Sequence, residues 1–263
     1  GALAIAMLAL GTGAMAATDR AAVERQFQGW LSAEIWPLAK AANVGRATFD
    51  RAFAGITLDW TMPDLQPPGT PPTPPKIEWQ AEFSAPGAYF DQRRLSALAA
   101  AGRDRLAQWR KTLAAVTRRT GVPGAIIVAI WAKESGFGAA QMPKPAIRAL
   151  ATEAFMGRRA AFFRDELIAA LVILQNGDIA ASSMRSSVAG ALGQPQFMPS
   201  QFLKYAEDFD GDGHRNIWTS ASDSLASIGR YLQGEGWVAG RGWGVEVKVP
   251  AAVSCALDGP EQG

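Results

Sequence analysis

The stretch Pro67-Pro68-Gly69-Thr70-Pro71-Pro72-Thr73-Pro74-Pro75 constrains this chain more than any other feature. Proline holds φ near −65° and has no N–H to give, so neither a helix interior nor a central strand can run through it. It reads as an extended loop or linker over residues 63–75. Helical patterns lie on both sides. Before it, Phe27, Trp30, Leu31, Ile35 and Leu38 recur at helical spacing and predict an amphipathic helix, and a shorter one is expected from Arg46 to Ala54, with Phe49 and Phe53 on one face. After it, from about Arg93, nearly everything reads as helix. Leu106, Trp109, Leu113 and Val116 form an apolar stripe, and Pro123 opens a helix over Gly124 to about Lys133. Further helices are predicted over Arg158 to Gln175, stopped by Asn176-Gly177, then Pro199 to Glu207 and Asp223 to Gln233, the last broken by Gly234 and Gly236. Only Trp243 to Val249 alternates like a strand. With no repeat and no strand–helix alternation, the fold class is mainly α.

Two counts narrow the chemistry. One histidine, His214, and one cysteine, Cys255, stand in 263 residues. A single cysteine makes neither an internal disulfide nor a cysteine-rich zinc site. Ser-His-Asp or Cys-His catalysis would rest on His214 alone, and that residue sits in an acidic loop with its own explanation. Carboxylates become the leading proton carriers. A formal net charge of +2 without a basic cluster argues against nucleic acid as partner. Hydrophobic residues at 48% against 19% charged allow a sizeable core.

The N-terminus reads as the remnant of an export signal over residues 1–16. Ala2 to Leu10 is apolar, and Ala14-Met15-Ala16 fits a small-x-small cleavage site. The run is short for a membrane span, no cysteine follows closely for a lipid anchor, and no stable membrane insertion is expected once the signal is removed. The alternative is a buried N-terminal helix.

Three constellations carry candidate chemistry. In the first, the apolar helix Ile126-Ile127-Val128-Ala129-Ile130-Trp131 ends in Lys133-Glu134-Ser135-Gly136-Phe137-Gly138. A carboxyl there is expected half-buried, with desolvation raising its pKa toward the range of a general acid. The plainer reading is a helix-end glutamate paired with Lys133. The second, Ser187 through Ser200, is a small-residue loop with amide and hydroxyl groups ending at a proline-started helix. It suits either a sugar-binding groove or a tight helix crossing. In the third, Asp208, Asp210 and Asp212 occupy positions one, three and five of an EF-hand-type loop, with Gly213 at six and the backbone carbonyl of His214 at seven. Thr219 stands at position twelve, and Asp223 is the candidate replacement ligand. A structural Ca²⁺ is expected, the alternative being an Asx-rich turn; no organic cofactor is implied. The nine tryptophans suit sugar stacking or core packing, and none is assigned to substrate.

Together these blocks resemble the family B lytic murein transglycosylases of the soluble type, from about Phe27 to Pro250 and most closely from Gly121 to Trp237. The glutamate block matches Val122-Pro123 through Gly138, the glycine-rich block matches Gln196 to Ser200, and the aspartate loop with Asn-x-Trp matches Asp208 to Trp218. The resemblance implies a lysozyme-like helical domain over 93–250, following a small helical N-terminal region over 17–92. It implies Glu134 as acid/base, Ser187, Gln196, Phe197 and Tyr231 as glycan contacts, and Asp208, Asp210, Asp212, His214 and Asp223 at calcium. Two departures stand out. Gln194-Pro195 replaces the family's more usual aromatic–glycine pair, and no Arg-Tyr-Asn block appears, so residues 251–263 are expected to be a truncated tail.

The implied activity is cleavage of peptidoglycan between N-acetylmuramic acid and N-acetylglucosamine, giving a 1,6-anhydro sugar, in the periplasm and as a monomer. A hydrolytic muramidase and a non-catalytic peptidoglycan-binding protein are the rivals. A calcium sensor is weaker, because the loop has no paired partner.

Overall fold

The computed structural model describes residues 19–63, 65–71, 91–244, 246 and 248. The export-signal residues 1–16 and the tail 251–263 lie outside these, as does the proline run beyond Pro71. The described part of that run is a turn, closed by bonds from the Thr70 N–H (3.1 Å) and hydroxyl (2.6 Å) to the Pro67 carbonyl.

The first helical stretch runs as α1 (Arg20–Trp30), a π-helical turn (Leu31–Ile35) and α2 (Trp36–Ala41). Asp19 caps it, its carboxylate accepting the Ala22 N–H at 3.1 Å. The buried side chains are Val23, Phe27, Leu31, Ile35 and Ala39, a strict spacing of four. An α-helix turns every 3.6 residues, so such a row drifts off one face; the wider π turn absorbs the drift. It also rotates α2 relative to α1. Leu38, expected on the apolar face, is 42% exposed, and Ala39 takes its place. α3 (Arg46–Phe53) buries Phe49 and Phe53 as predicted.

The second part begins with α4 (Gln92–Gln108), then α5 (Arg110–Thr120) and α6 (Gly124–Ser135). The stripe Leu106–Val116 crosses the break at Trp109, with only Leu113 and Val116 buried. Next come β1 (Lys144–Pro145), α7 (Ala146–Met156), α8 (Ala160–Asn176), β2 (Arg185–Ser186), α9 (Pro199–Tyr205) and α10 (Ala221–Gly234). The sequence reading missed α7, although Ile147, Leu150, Ala151 and Ala154 lie on one helical face and are all buried. The strand expected over 243–249 does not form among the described residues there. Trp243 is 83% exposed, and a lone segment without a partner has no ladder to hold it. The strands that do form are β1 and β2, paired antiparallel, Lys144 opposite Ser186.

Two hydrophobic cores result. The larger joins Phe27, Ile35 and Phe49 of the N-terminal helices to Leu150, Leu167, Leu171, Phe197 and Phe202. The smaller joins α5, α6 and α10 through Leu113, Val116, Ile127, Trp131, Leu225 and Ile228. Among the described residues no single helix is long and apolar enough to cross a membrane.

Candidate active site

Glu134 lies in the last turn of α6, which stops sharply. The Gly136 N–H bonds the Ala132 carbonyl (2.9 Å) and the Phe137 N–H bonds the Trp131 carbonyl (3.2 Å). This left-handed ending needs the positive φ of Gly136 (56°). Phe137 then also takes φ 62°, and its ring stands edge-on to Trp131 at 5.6 Å. Buried Ser135 turns the following loop back, its hydroxyl accepting the Gly138 N–H at 3.0 Å. The helix end presents Glu134 while its buried face is locked into the smaller core.

Opposite lies the loop of the second constellation. Leu192 and Phe197 exchange backbone bonds (2.7 and 3.1 Å), making a tight hairpin over residues 193–196. Gly193 has φ +59°, and a Cβ there would meet the Ile217 carbonyl at 2.6 Å, so only glycine fits. Gln196 also has positive φ (55°), which is uncommon for a side chain that long. Its amide donates to the Gly193 carbonyl at 2.8 Å. The helix after the hairpin is capped twice. Gln201 accepts the Met198 N–H at 2.9 Å, and Glu166, buried on α8, accepts the Ser200 N–H (2.8 Å) and hydroxyl (2.7 Å).

A cleft of about 280 Å³ separates these parts. Glu134 and Ile130 come from α6, Pro195, Gln196, Phe197 and Gln201 from the opposite wall, and Ile228 and Tyr231 from α10. Among the described residues walling it, Glu134 is the one carboxylate. Its side chain keeps exposed surface and lines the cleft. Partial desolvation raises its pKa above the ordinary glutamate value, and the Lys133 ammonium opposes part of the rise. Phe197 is buried under the wall, its ring 5.5 Å from Tyr231, and Tyr205 meets Tyr231 edge-on at 5.2 Å. Three of the sequence-derived candidates (Gln196, Phe197 and Tyr231) therefore stand around Glu134. Ser187 is not among the residues that wall the cleft. It closes its own loop, its N–H bonding the Ala191 carbonyl (2.8 Å) and its hydroxyl accepting the Ala191 N–H (3.1 Å). Gln201 was not singled out from sequence, although glutamine three residues past a helix start is a capping signal.

The acidic loop is not among the residues that line the cleft. Carboxylate oxygens of Asp208, Asp210 and Asp212 lie within 4.8 Å of one another. Asp208 accepts the N–H groups of Gly211 (2.7 Å) and Gly213 (2.9 Å), which hold the loop closed. Three converging hard oxygens fit Ca²⁺. Asp223 is placed differently from a fourth member of that cluster. It is fully buried beneath the loop, and its two oxygens accept N–H bonds from Phe209 (2.9 Å), Asp210 (3.4 Å) and Asn216 (2.9 Å). Burial raises its pKa, and the Phe209 and Asn216 bonds pull it back. The His214 carbonyl accepts the Asn216 N–H at 3.1 Å. Arg215 ties the end of the loop to Asp178 through two bonds of 3.0 and 2.6 Å.

The profile of the Transglycosylase SLT domain family matches residues 26–263. The chain belongs to this family. It is 40% identical over 121 residues to the Membrane-bound lytic murein transglycosylase B of Escherichia coli (strain K12), which covers 46% of this chain and 33% of that protein. Among solved structures, SltB3 from Pseudomonas aeruginosa in complex with NAG-NAM-pentapeptide is 39% identical with a TM-score of 0.73, over 88% of this chain and 59% of its own. SltB3 has also been solved with NAG-anhNAM-pentapeptide (40% identity, TM-score 0.71, with the same coverage). The Escherichia coli lytic transglycosylase Slt35 in complex with calcium is 36% identical with a TM-score of 0.50, over 53% of this chain and 45% of that one. The lysozyme-like helical fold expected from the sequence is that of these SLT-domain relatives, and the chain spans less than two thirds of each of them.

Proposed function

We propose that this SLT-domain chain is a lytic transglycosylase that cuts the N-acetylmuramic acid–N-acetylglucosamine bond of peptidoglycan and leaves a 1,6-anhydro-N-acetylmuramic acid end. One observation carries the reading: among the described residues a single carboxylate, Glu134, faces a cleft walled by amide and aromatic groups, with its pKa raised by desolvation. The complexes of SltB3 with intact and anhydro glycan fragments support it. Most glycosidases use two carboxylates; one suffices when the substrate supplies the other group.

In the first step the protonated Glu134 gives its hydrogen to the glycosidic oxygen as the bond to the anomeric carbon breaks. The carbonyl oxygen of the sugar's own acetamido group takes up the cationic carbon. Glu134, now a carboxylate, accepts the proton of the 6-hydroxyl while that oxygen bonds the anomeric carbon and displaces the acetamido oxygen, which returns to a free amide carbonyl. The first proton leaves on the departing sugar's hydroxyl, the 6-hydroxyl's proton restores Glu134 to its starting form, and no water enters. Gln196 and Gln201 would hold sugar hydroxyl and acetamido groups, Tyr231 the ring faces, and Phe197 supports Tyr231 from below. Ser187 contributes by shaping the wall and meets the strand only beyond these residues.

The acidic loop is proposed to hold one structural Ca²⁺ through Asp208, Asp210, Asp212 and the His214 carbonyl, with Asp223 bracing it from beneath. The calcium complex of Slt35 supports this. The loop has no base poised for chemistry, so the ion would fix the fold. The substrate lies outside the cytoplasmic membrane, and the protein would act in the periplasm as a monomer.

The test is Glu134→Gln, assayed on purified sacculi with mass analysis of the soluble products. Wild type should release fragments one water lighter than hydrolysis gives, and the variant should release none while keeping its helical spectrum. Full activity in the variant defeats the assignment, and products of the hydrated mass assign the cleft to a muramidase instead.

A further inference from the structure

We propose that Gln194 is a positioning residue that sets the width of the catalytic cleft by tying its two walls together from behind. The inference rests on Glu134 being the acid/base. The Gln194 side chain is 7% exposed. Its Oε1 accepts the indole N–H of Trp131 at 2.8 Å, its Nε2 donates to the Trp218 carbonyl at 3.2 Å, and its backbone N–H donates to the Ile217 carbonyl at 2.9 Å. Three separate parts of the chain meet on one side chain: the helix that carries Glu134, the wall opposite it, and the segment leaving the acidic loop.

The orientation of the amide is fixed by chemistry. An indole N–H only donates, so the glutamine oxygen must face it, and a backbone carbonyl only accepts, so the NH₂ must face Trp218. Turning the amide over would set donor against donor and acceptor against acceptor. The group is also enclosed: a Cβ at Gly138, in the loop just after Glu134, would come within 2.6 Å of Oε1.

Its placement relative to the cleft gives the bond its function. Trp131 precedes Glu134 by three residues on the same helix, so the two lie on neighbouring parts of one face. Pro195 and Gln196, the next two residues after Gln194, line the opposite wall. The Gln194–Trp131 bond therefore spans the cleft on its buried side and fixes how far Glu134 stands from Gln196. That wall is held in an unfavourable backbone conformation at Gln196 (φ 55°), which persists only where its surroundings hold it. The three bonds of Gln194 supply that hold. Proton transfer needs the acid within about 3 Å of the leaving oxygen, and a misplacement of about 1 Å costs on the order of a hundredfold in rate.

The experiment compares Gln194→Leu, Trp131→Phe and the double variant on soluble uncrosslinked glycan strands, well below each variant's melting temperature, with Glu134→Gln in parallel. Trp131→Phe removes the indole N–H while leaving an aromatic ring in the smaller core, so it tests the bond from the other partner where Gln194→Leu folds poorly. Each single variant should lose about ten- to a hundredfold in kcat, with KM changed less than about threefold, and the double variant should be no slower than the slower single one. Unchanged kcat in Trp131→Phe, losses that multiply in the double variant, or a loss confined to KM would overturn the positioning role while leaving Glu134 in place. Retained turnover in Glu134→Gln would overturn the acid/base reading and with it the role given to Gln194.

Discussion

Glu166 holds both the backbone N–H and the hydroxyl of Ser200, at 2.8 and 2.7 Å, from within the larger core. A seven-residue helix starting at Pro199 gains little by itself. Its start is fixed from outside by a residue on α8, and the cleft wall runs directly into that start.

Glu166→Ala should therefore destabilise the protein by about 0.5–2 kcal/mol, the usual cost of losing a helix cap. Glu166→Gln, which keeps one acceptor oxygen, should lose less. Urea unfolding measures the difference, and an undiminished stability in both variants would show that the bonds from Glu166 to Ser200 add nothing to the fold.

Asp59 and Lys144 form a second buried link, at 2.7 Å, between the segment after α3 and β1. Burial alone would raise the Asp59 pKa, but the bonds from Lys144 and Thr61 win and lower it to about 2. A carboxylate whose folded pKa lies below its unfolded value adds stability above the unfolded pKa and loses it as pH falls through the folded one. Asp59 should contribute on the order of 2 kcal/mol near neutrality, lost between about pH 4 and pH 2. In Asp59→Asn that part of the acid-dependent loss should vanish, as read by denaturation at pH 6 and pH 3.

The Glu134 acid must be protonated to start the reaction, so activity should persist above the ordinary glutamate pKa and fall as pH rises through the raised value. Lys133 pulls that value down. Lys133→Met should move the alkaline limb of kcat to higher pH, and a limb that stays put or moves lower would contradict the electrostatic account. Because the charged form is disfavoured in the fold, Glu134→Gln should melt no lower than wild type near neutrality.

Added Ca²⁺ should raise the melting temperature, with about 2.7 kcal/mol of stabilisation at a hundred times its dissociation constant. Asp208→Asn and Asp212→Asn should weaken that response. A calcium-independent melting curve for wild type would leave the loop as a hydrogen-bonded turn alone.

The residues explain what sequence could and could not reveal. Glu134 and the three aspartates drew attention because each sits in a local pattern whose spacing has a chemical meaning, and Gln196 because its block resembles one of the family's. Leu38 was misplaced because periodicity assumes a constant 3.6, and a π turn leaves no mark except a row of apolar residues spaced by four. α7 was overlooked although its apolar pattern is plain, since it lies between the glutamate and glycine blocks and carries no chemical motif of its own. Gln194 was noticed only as a departure, and Glu166, Asp59 and Lys144 not at all. The partners through which they tie separate elements lie 24 to 85 residues away in the chain, and a hydrogen bond over such a separation leaves no periodic trace.

The cleft floor borrows Ile228 from one core and stands against Phe197 from the other, and a seam of this kind has a thermal consequence. Proteins open in cooperative parts before they melt as a whole. Loosening of the Leu113–Trp131 group would let the two banks slide while the Phe27–Leu171 group still held. Heating would then silence the enzyme at a temperature where its helical signal is largely intact, and cooling would restore it.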